Sequence, residues 1–385
     1  MSVVSITKNE SYDLQPVIES VRVHFQRFSL DQKLNESTKV LIKPNLLMKR
    51  KPEEFTTTHP ALVEAAIVVL KEYGVKQITV ADSPGGMYTQ GALKGIYEAS
   101  GMEAVCRRQE VTLNYDTGFQ EVSSVNGKLV KTFPLIRPVC EADFILDICK
   151  LKTHAMTGLS GAVKNLFGTI PGLTKPEFHW RFPEKELFCS MLIDLCQTVS
   201  PDFVLVDAIE SMEGDGPSGG QKRTPHLILA SDHPYDLDYC LCHLIGLPPQ
   251  RVNTVQESIN RGLCTGDLSK ITILGEPLVP MENYKLPRDA RTDFMSHVPA
   301  VLAKPLKKIT QVFLTSHPVV RQKDCVGCGK CAESCPAKTI EIQNRKAYIH
   351  KEKCIHCFCC HEMCPVKAID IKRSRLFGLG KGDSK

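Results

Sequence analysis

The chain has 385 residues, 42% of them apolar and 24% charged, with a formal net charge of +5. The length supports a large core plus a second, smaller unit, and the composition is that of an ordinary globular protein. The mild positive charge lacks an aromatic-interleaved basic stripe, which argues against nucleic acid and favours acidic partners or anionic substrates. The opening MSVVSITKNE carries no apolar leader, and the longest apolar stretches, such as residues 61–70, are too short to span a bilayer. A cytoplasmic protein with no membrane partner is expected.

In chain order, short Val- and Ile-rich runs predict buried strands at VVSI near the start, then at 40–45, 77–82, 142–149, 202–209, 226–231 and 271–274. Helices are predicted between them. Pro60 opens one and Gly74 closes it, a second runs from Gln90 to Ser100, and a third from Glu186 to Val199 ends before Pro201. Strand–helix–strand order over 40–82 is a βαβ unit, so the fold class is α/β with a mostly parallel sheet. Gly/Pro-rich loops at 83–91, 168–176 and 214–225 are long enough to be functional. The expected organisation is an α/β domain over 1–281, a linker with a helix over 282–318, a small α+β ferredoxin-like domain over 319–373, and a tail over 374–385.

Nine of the 17 cysteines lie in the last 61 residues. They form two runs, Cys325-x2-Cys328-x2-Cys331-x3-Cys335-Pro336 and Cys354-x2-Cys357-x2-Cys360-x3-Cys364-Pro365. This is the two-cluster ferredoxin pattern, in which the fourth cysteine of each run serves the other cluster. One [4Fe-4S] cluster is expected on Cys325, Cys328, Cys331 and Cys364. The other is expected on Cys354, Cys357, Cys360 and Cys335. A zinc site on CxxC pairs would not need two complete runs. Gly327 and Gly329 are expected to let the first loop approach the sulfurs. TIEIQNRKAYIH between the runs reads as a hairpin. Cys359 is surplus; a role beside the cluster or in packing is expected for it, and an alternative ligand register that uses it is the other reading. The other eight cysteines read as small buried hydrophobes.

Ligands of open α/β sheets bind at the carboxyl ends of the strands, and several predicted strands here end in polar residues. Lys43 and Asn45 follow one, Asp82 and Ser83 another, and Lys150, Lys152 and His154 a third; Asp207, Glu210, Glu213 and Asp215 follow the fourth. Lys43, Lys152 and Lys164, with Arg181, suit phosphate or carboxylate. Glu210, Glu213 and Asp215 suit a divalent metal or an ammonium group. His154 and His179 suit proton transfer. The candidate catalytic residues are therefore His154, His179 and Lys152. The candidate substrate residues are Lys43, Asn45, Asp82, Ser83, Lys164, Asn165, Glu213 and Asp215. The GxGxxG match at 214–219 is followed by another strand rather than a helix, so it does not predict NAD binding.

LIKPN (41–45), TTTHP (56–60), ADSPGG (81–86), KLKTH (150–154), GAVKNLFG (161–168), VDAIESMEGDGP (206–217) and ASDHPYDLD (230–238) together resemble the domain of unknown function 362 family. The blocks occur in that family's order. The resemblance implies an α/β fold and a redox-linked role, and members often carry C-terminal ferredoxin motifs; it supplies no reaction.

The combined expectation is an oxidoreductase. Two [4Fe-4S] clusters would deliver electrons, received from a redox partner such as a ferredoxin, flavodoxin or reductase, to an anionic small molecule in the α/β domain. A divalent metal or a flavin is a further candidate cofactor. The alternatives are a non-enzymatic electron-transfer subunit and a redox sensor.

Overall fold

The computed structural model describes residues 2–172, 174–287 and 316–372. The helix expected at 296–314 and the tail over 374–385 lie outside the described residues.

The first half of the chain lays down β1 (Ser2–Lys8), α1 (Leu14–Arg27), β2 (Lys39–Pro44), α2 (Pro60–Glu72), β3 (Gln77–Val80), α3 (Gln90–Ser100), α4 (Met102–Arg108) and the short β4 (Thr112–Leu113). A hairpin of β5 (Phe119–Ser123) and β6 (Thr132–Ile136) and the short α5 (Arg137–Glu141) lead into the central strand β7 (Phe144–His154). There follow β8 (Gly158–Ser160), α6 (Ala162–Asn165), α7 (Thr174–Arg181), α8 (Lys185–Val199), β9 (Phe203–Glu213), β10 (Gln221–Arg223), β11 (Leu227–Ser231), α9 (Pro234–Leu244), α10 (Asn253–Asn260) and β12 (Ile271–Gly275). One ten-stranded sheet runs β12-β1-β11-β9-β7-β2-β3-β4, with β8 and β10 paired beside β7 and β9. The block β9-β7-β2-β3-β4 is parallel, and β11 is antiparallel to both of its neighbours. The protein is thus α/β with a mostly parallel sheet.

Side-chain alternation explains the two-sided core. On β7, Phe144, Leu146 and Ile148 pack with α1 and α2 on one face, while Ile145, Cys149 and Leu151 pack with α8 and α9 on the other. All eleven residues of β7 are buried, as suits the centre of a sheet covered on both faces. Helix α2 has Pro60 in its first turn, the His59 ring accepting the Ala61 N–H, and Gly74 left-handed just past its end.

Two expected boundaries shift. Strand β7 continues through Lys150 and Lys152 to His154, and β9 continues to Glu213. Their polar ends are therefore held in the sheet rather than in loops, because buried partners satisfy them. Tyr284, in a stretch that reads as unpatterned, is buried and bonds Ser211 and the Met212 carbonyl at the end of β9.

The cysteine-rich unit pairs β13 (His317–Val320) with β16 (Ile369–Lys372), and β14 (Ile340–Gln343) with β15 (Lys346–Ile349). A one-turn helix carries the third cysteine of each run, α11 (Lys330–Glu333) with Cys331 and α12 (Cys359–Glu362) with Cys360. Asn344 and Arg345 take positive φ in the β14–β15 turn, as a tight two-residue hairpin requires. Gly327 is left-handed, and a Cβ there would lie 2.3 Å from the Arg345 carbonyl oxygen. The close approach at Gly327 is thus to the hairpin turn. No helix among the described residues is long and apolar enough to cross a membrane.

Candidate functional site

The cysteine-rich unit sits on the carboxyl ends of the central strands. Arg50 donates to the carbonyls of Cys364 and Pro365 at 3.1 Å each. Ser218 donates to the Glu362 carbonyl at 3.1 Å, and the His361 ring reaches the Asp215 carbonyl at 3.2 Å. At Gly219 a Cβ would stand 2.6 Å from the His361 ring, which explains a glycine there.

A cavity lies between the strand ends and this unit. Lys43, Asn45, Asp82, Ser83, Lys152 and His154 line it from the strands; Lys164, Asn165, Lys175 and His179 line it from the helices behind. Ser334, Cys359, Glu362 and Met363 close it from the cysteine-rich side. Several of the expected residues, Arg181, Glu210, Glu213 and Asp215 among them, fall outside. Glu213 accepts the Lys285 N–H at 3.0 Å, Asp215 offers its carbonyl to His361, and Arg181 is exposed over the Phe182 ring. Glu210 pairs with Lys222. Glu210 and Glu213 are thus engaged by Lys222 and Lys285, the Asp215 carbonyl and Ser218 seat the cysteine-rich unit, and Pro217 is this loop's contribution to the cavity wall. Among the described residues, no three His, Cys, Asp or Glu side chains gather for a single metal ion. The acidic loop therefore does not assemble the divalent-metal site expected of it.

Local sequence explains how the cavity residues are held. Asp238 accepts the N–H groups of Ala162 (2.7 Å) and Val163 (3.1 Å), fixing the start of α6. Gly161 is required because a Cβ would lie 2.1 Å from the Asp238 carboxylate. From α6, Asn165 donates to Asp147 at 2.7 Å and accepts from Asn45 at 2.7 Å; the Asn45 oxygen in turn accepts from Lys152 at 2.8 Å. Two amides thus link a buried lysine to a buried carboxyl. Lys43 pairs with Asp82 at 2.8 Å, and the other Asp82 oxygen takes the Leu46 N–H at 3.0 Å. A Cβ on Gly168 would strike both partners, at 2.1 Å from Asp82 Oδ1 and 2.6 Å from Lys43 Nζ. Lys150 and Asp207 pair at 3.0 Å with Tyr12 outside this cavity, a closed network that leaves no free group.

His154 Nδ1 accepts the N–H groups of Met156 (3.1 Å) and Thr157 (3.3 Å), so its proton is on Nε2. That nitrogen lies 3.1 Å from Glu362 Oε1, an ion-pair distance off the line of a straight hydrogen bond. Burial opposes the Glu362 charge, but His154, Lys164 and His179 overcome it and hold the carboxyl down at about 2. Burial lowers His154 and takes His179 down to about 3, so both rings are neutral near pH 7. His179 stacks on Phe188 at 4.3 Å. Burial also lowers Lys152 and Lys175 to about 7 and raises Asp147 to about 7.

The remaining cysteines divide spatially. Cys325, Cys328, Cys331 and Cys364 line one cavity of about 320 Å³ together with Val326, Ile342 and Val366. Cys354 and Cys360 each face Cys357 and Cys335. Backbone N–H groups of Ala347, Thr339 and Ala368 point at the sulfurs of Cys325, Cys335 and Cys364 at 3.4, 3.4 and 3.1 Å. All-sulfur donor sets around apolar space, with N–H groups on the sulfurs, fit iron–sulfur ligation. Cys359 hydrogen-bonds the Cys357 thiol and also lines the large cavity.

Glu362, Cys359, Met363 and Ser334 were not legible as cavity residues, since nothing in the sequence says which surface the cysteine-rich unit covers. The signal available was the surplus thiol and the carboxylate inside CFCCHEMCP.

Comparison with known proteins matches two stretches of the chain. A model described as a domain of unknown function (DUF362) matches residues 40–243, and one described as a 4Fe-4S dicluster domain matches residues 317–365. A protein of Synechocystis sp. described as thylakoid-associated is 26% identical over 287 residues, covering 74% of this chain and 87% of that protein. The lactate racemase apoprotein of Thermoanaerobacterium thermosaccharolyticum superposes with a TM-score of 0.38 at 14% identity, over 62% of this chain and 56% of that one. A protein of Thermotoga maritima gives 0.32 at 16% identity, over 51% and 50%. The chain spans about half the length of these solved structures. With a 4Fe-4S dicluster domain at its C-terminal end, this is an iron–sulfur electron-transfer protein, and the chain belongs to the family of the domain of unknown function DUF362.

Proposed function

We propose that the protein is an oxidoreductase that reduces or oxidises an anionic small molecule held between the strand ends and the ferredoxin-like unit. The observation that carries this reading is the shared wall. Cys359 and Glu362, inside and beside the second cysteine run, line the same cavity as Lys43, Lys152, Lys164 and Lys175. A carrier alone would not need a lysine-lined cavity against its redox unit.

In this reading one [4Fe-4S] cluster is held by Cys325, Cys328, Cys331 and Cys364, and the other by Cys354, Cys357, Cys360 and Cys335. Bound there, the clusters supply single electrons beside the cavity. The chain's own residues do the rest. The lysines hold the anion, and the Lys43–Asp82 pair fixes the shape of one end. His154 Nε2–H is a hydrogen-bond donor on the redox side, its neutral ring fixed by the two N–H groups on Nδ1 and lying beside the Glu362 carboxylate. Cys328 of the first quartet is exposed, whereas Cys335, Cys357 and Cys360 of the second are buried. Val326, Ile342 and Val366, exposed by 55%, 38% and 42%, rim the first quartet and suit the docking of a redox partner protein.

The test is anaerobic purification with iron and sulfide analysis, and mass spectrometry of whatever denaturation releases. About eight irons and an organic anion whose redox state follows that of the protein are expected. Eight irons with no anion released, and no small anion oxidised or reduced by the protein, would return the chain to a simple carrier.

A further inference from the structure

The charges lining the cavity do not balance. Lys43 and Asp82 form a closed pair at 2.8 Å. Beyond Asp82, which Lys43 already neutralises, the other three lysines face one carboxylate, Glu362, which already lies against His154. Lys152 donates only to the neutral oxygens of Asn45 and Thr56, both at 2.8 Å. Lys175 donates only to the carbonyls of Ser83 and Pro84. Lys164 has no hydrogen bond among the described residues and lies over the Phe167 ring at 5.0 Å. Neutral acceptors orient an ammonium group but do not cancel its charge, and a buried surplus charge is strongly unfavourable.

Three ammonium groups against one carboxylate leave a surplus of two. Asp147, the nearest further acid, lies behind Asn165 and is pushed towards its neutral form. Two polar atoms of the same wall, His179 Nδ1 and Ser83 Oγ, are buried without a partner. Buried orphans of this kind mark a missing partner. Leu47, Phe167 and Met363 give the cavity an apolar side as well, which suits a carbon skeleton.

We propose that this cavity binds a small organic dianion, a dicarboxylate or a phosphate monoester, on Lys152, Lys164 and Lys175. A monoanion leaves one cation uncompensated. A dianion matches the surplus and offers acceptors to the orphaned wall atoms. The proposal rests on reading the cavity as the substrate site, but it concerns binding and not electron transfer.

A proton signature follows. The charged groups facing Lys152 are Lys164, Glu362, Lys150 and Asp82; those facing Lys175 are Asp82, Lys43, Lys164 and Glu362. In the empty cavity burial lowers both lysines to about 7, so above that pH they are largely neutral. A bound dianion favours the ammonium form, so binding at pH 8 takes up protons, and affinity falls as pH rises above 7.

The experiment is titration calorimetry on the oxidised, iron-loaded protein at pH 8, in two buffers of different ionisation enthalpy. The probes are succinate, glycerol 3-phosphate and acetate at equal ionic strength. At least one dianion should bind tenfold or more tighter than acetate, with uptake of about one proton or more. Succinate alone, or glycerol 3-phosphate alone, decides between the two sources. Lys164→Met, with its iron content and visible spectrum unchanged, should lose tenfold or more in dianion affinity. Equal binding of acetate, no binding of any probe, no proton uptake, or an unaffected Lys164→Met variant would each overturn the proposal. Because no electrons are involved, dianion binding without turnover would count against the redox reading alone, and turnover of another anion would count against this one alone.

Discussion

His154, the last residue of β7, places its Nε2 3.1 Å from Oε1 of Glu362, the last residue of α12. The pair joins the central strand of the sheet to the ferredoxin-like unit across more than two hundred residues of chain. It also sets a hydrogen-bond donor and a fixed negative charge at the edge of the cavity.

A double-mutant cycle measures that link. His154→Gln and Glu362→Gln keep side-chain size and remove the charge interaction. Thermal unfolding of the iron-loaded protein should give a coupling of roughly 1–3 kcal/mol between them. Additive effects would mean that the pair does not seat the unit.

Burial opposes the Lys152 ammonium group, so removing it should stabilise the empty protein. Lys152→Met is expected to raise the unfolding temperature by a few degrees while weakening anion binding, the trade typical of a functional site. The pH profile gives the sign. Asp147, raised to about 7, stabilises the fold fully below its unfolded value, and that contribution is lost as pH rises from about 4 to about 7. Lys152 and Lys175, lowered to about 7, bind fewer protons folded than unfolded between about 7 and 10, so stability rises there. On the acid side His24, His59 and His179, lowered to about 3 or 4, oppose the Asp147 contribution, so the lysine contribution is read on the alkaline side. Lys152→Met should flatten the alkaline limb and leave the acid limb in place, as equilibrium denaturation at several pH values would show.

Gly168→Ala drives a Cβ into the Lys43–Asp82 pair from 2.1 and 2.6 Å. Backbone holds the glycine in place, since its carbonyl takes the Ser83 N–H at 2.8 Å. A loss of roughly 2–4 kcal/mol is expected in denaturant unfolding. Wild-type stability in this variant would show that the pair can give way freely.

The thiol sets separate by iron content. Cys328→Ser and Cys357→Ser should each lose about four irons, because each removes one ligand from a different quartet. Cys359→Ala should keep all of the iron, since that thiol faces the cavity. Loss of iron in Cys359→Ala would reassign the second quartet.

Much of the sheet was legible, because strands buried on both faces write continuous Val and Ile runs. The positions of Lys43, Asn45, Asp82, Ser83 and Lys152 were legible for the same reason, each sitting where such a run turns polar. The extension of β7 to His154 was not, because its lysines are buried by partners far away in sequence: Asp207 for Lys150, and Asn45 and Thr56 for Lys152. Glu213 and Asp215 look as available in sequence as Asp82 does. Only the docked unit shows that their segment is occupied. Lys175 and Glu362 were missed because a lysine on a short helix and a carboxylate between cysteines acquire meaning only from what the fold places opposite them.

The central claim is that the lysine-lined cavity and the redox unit form one site. Electron paramagnetic resonance of the one-electron-reduced, iron-loaded protein, with and without saturating succinate or glycerol 3-phosphate, tests it most directly. A ligand on Lys164 lies against the wall that carries Cys359, so the signal of wild-type protein should shift on binding, and that of Lys164→Met should not. Saturated binding with an unchanged wild-type spectrum would contradict the account.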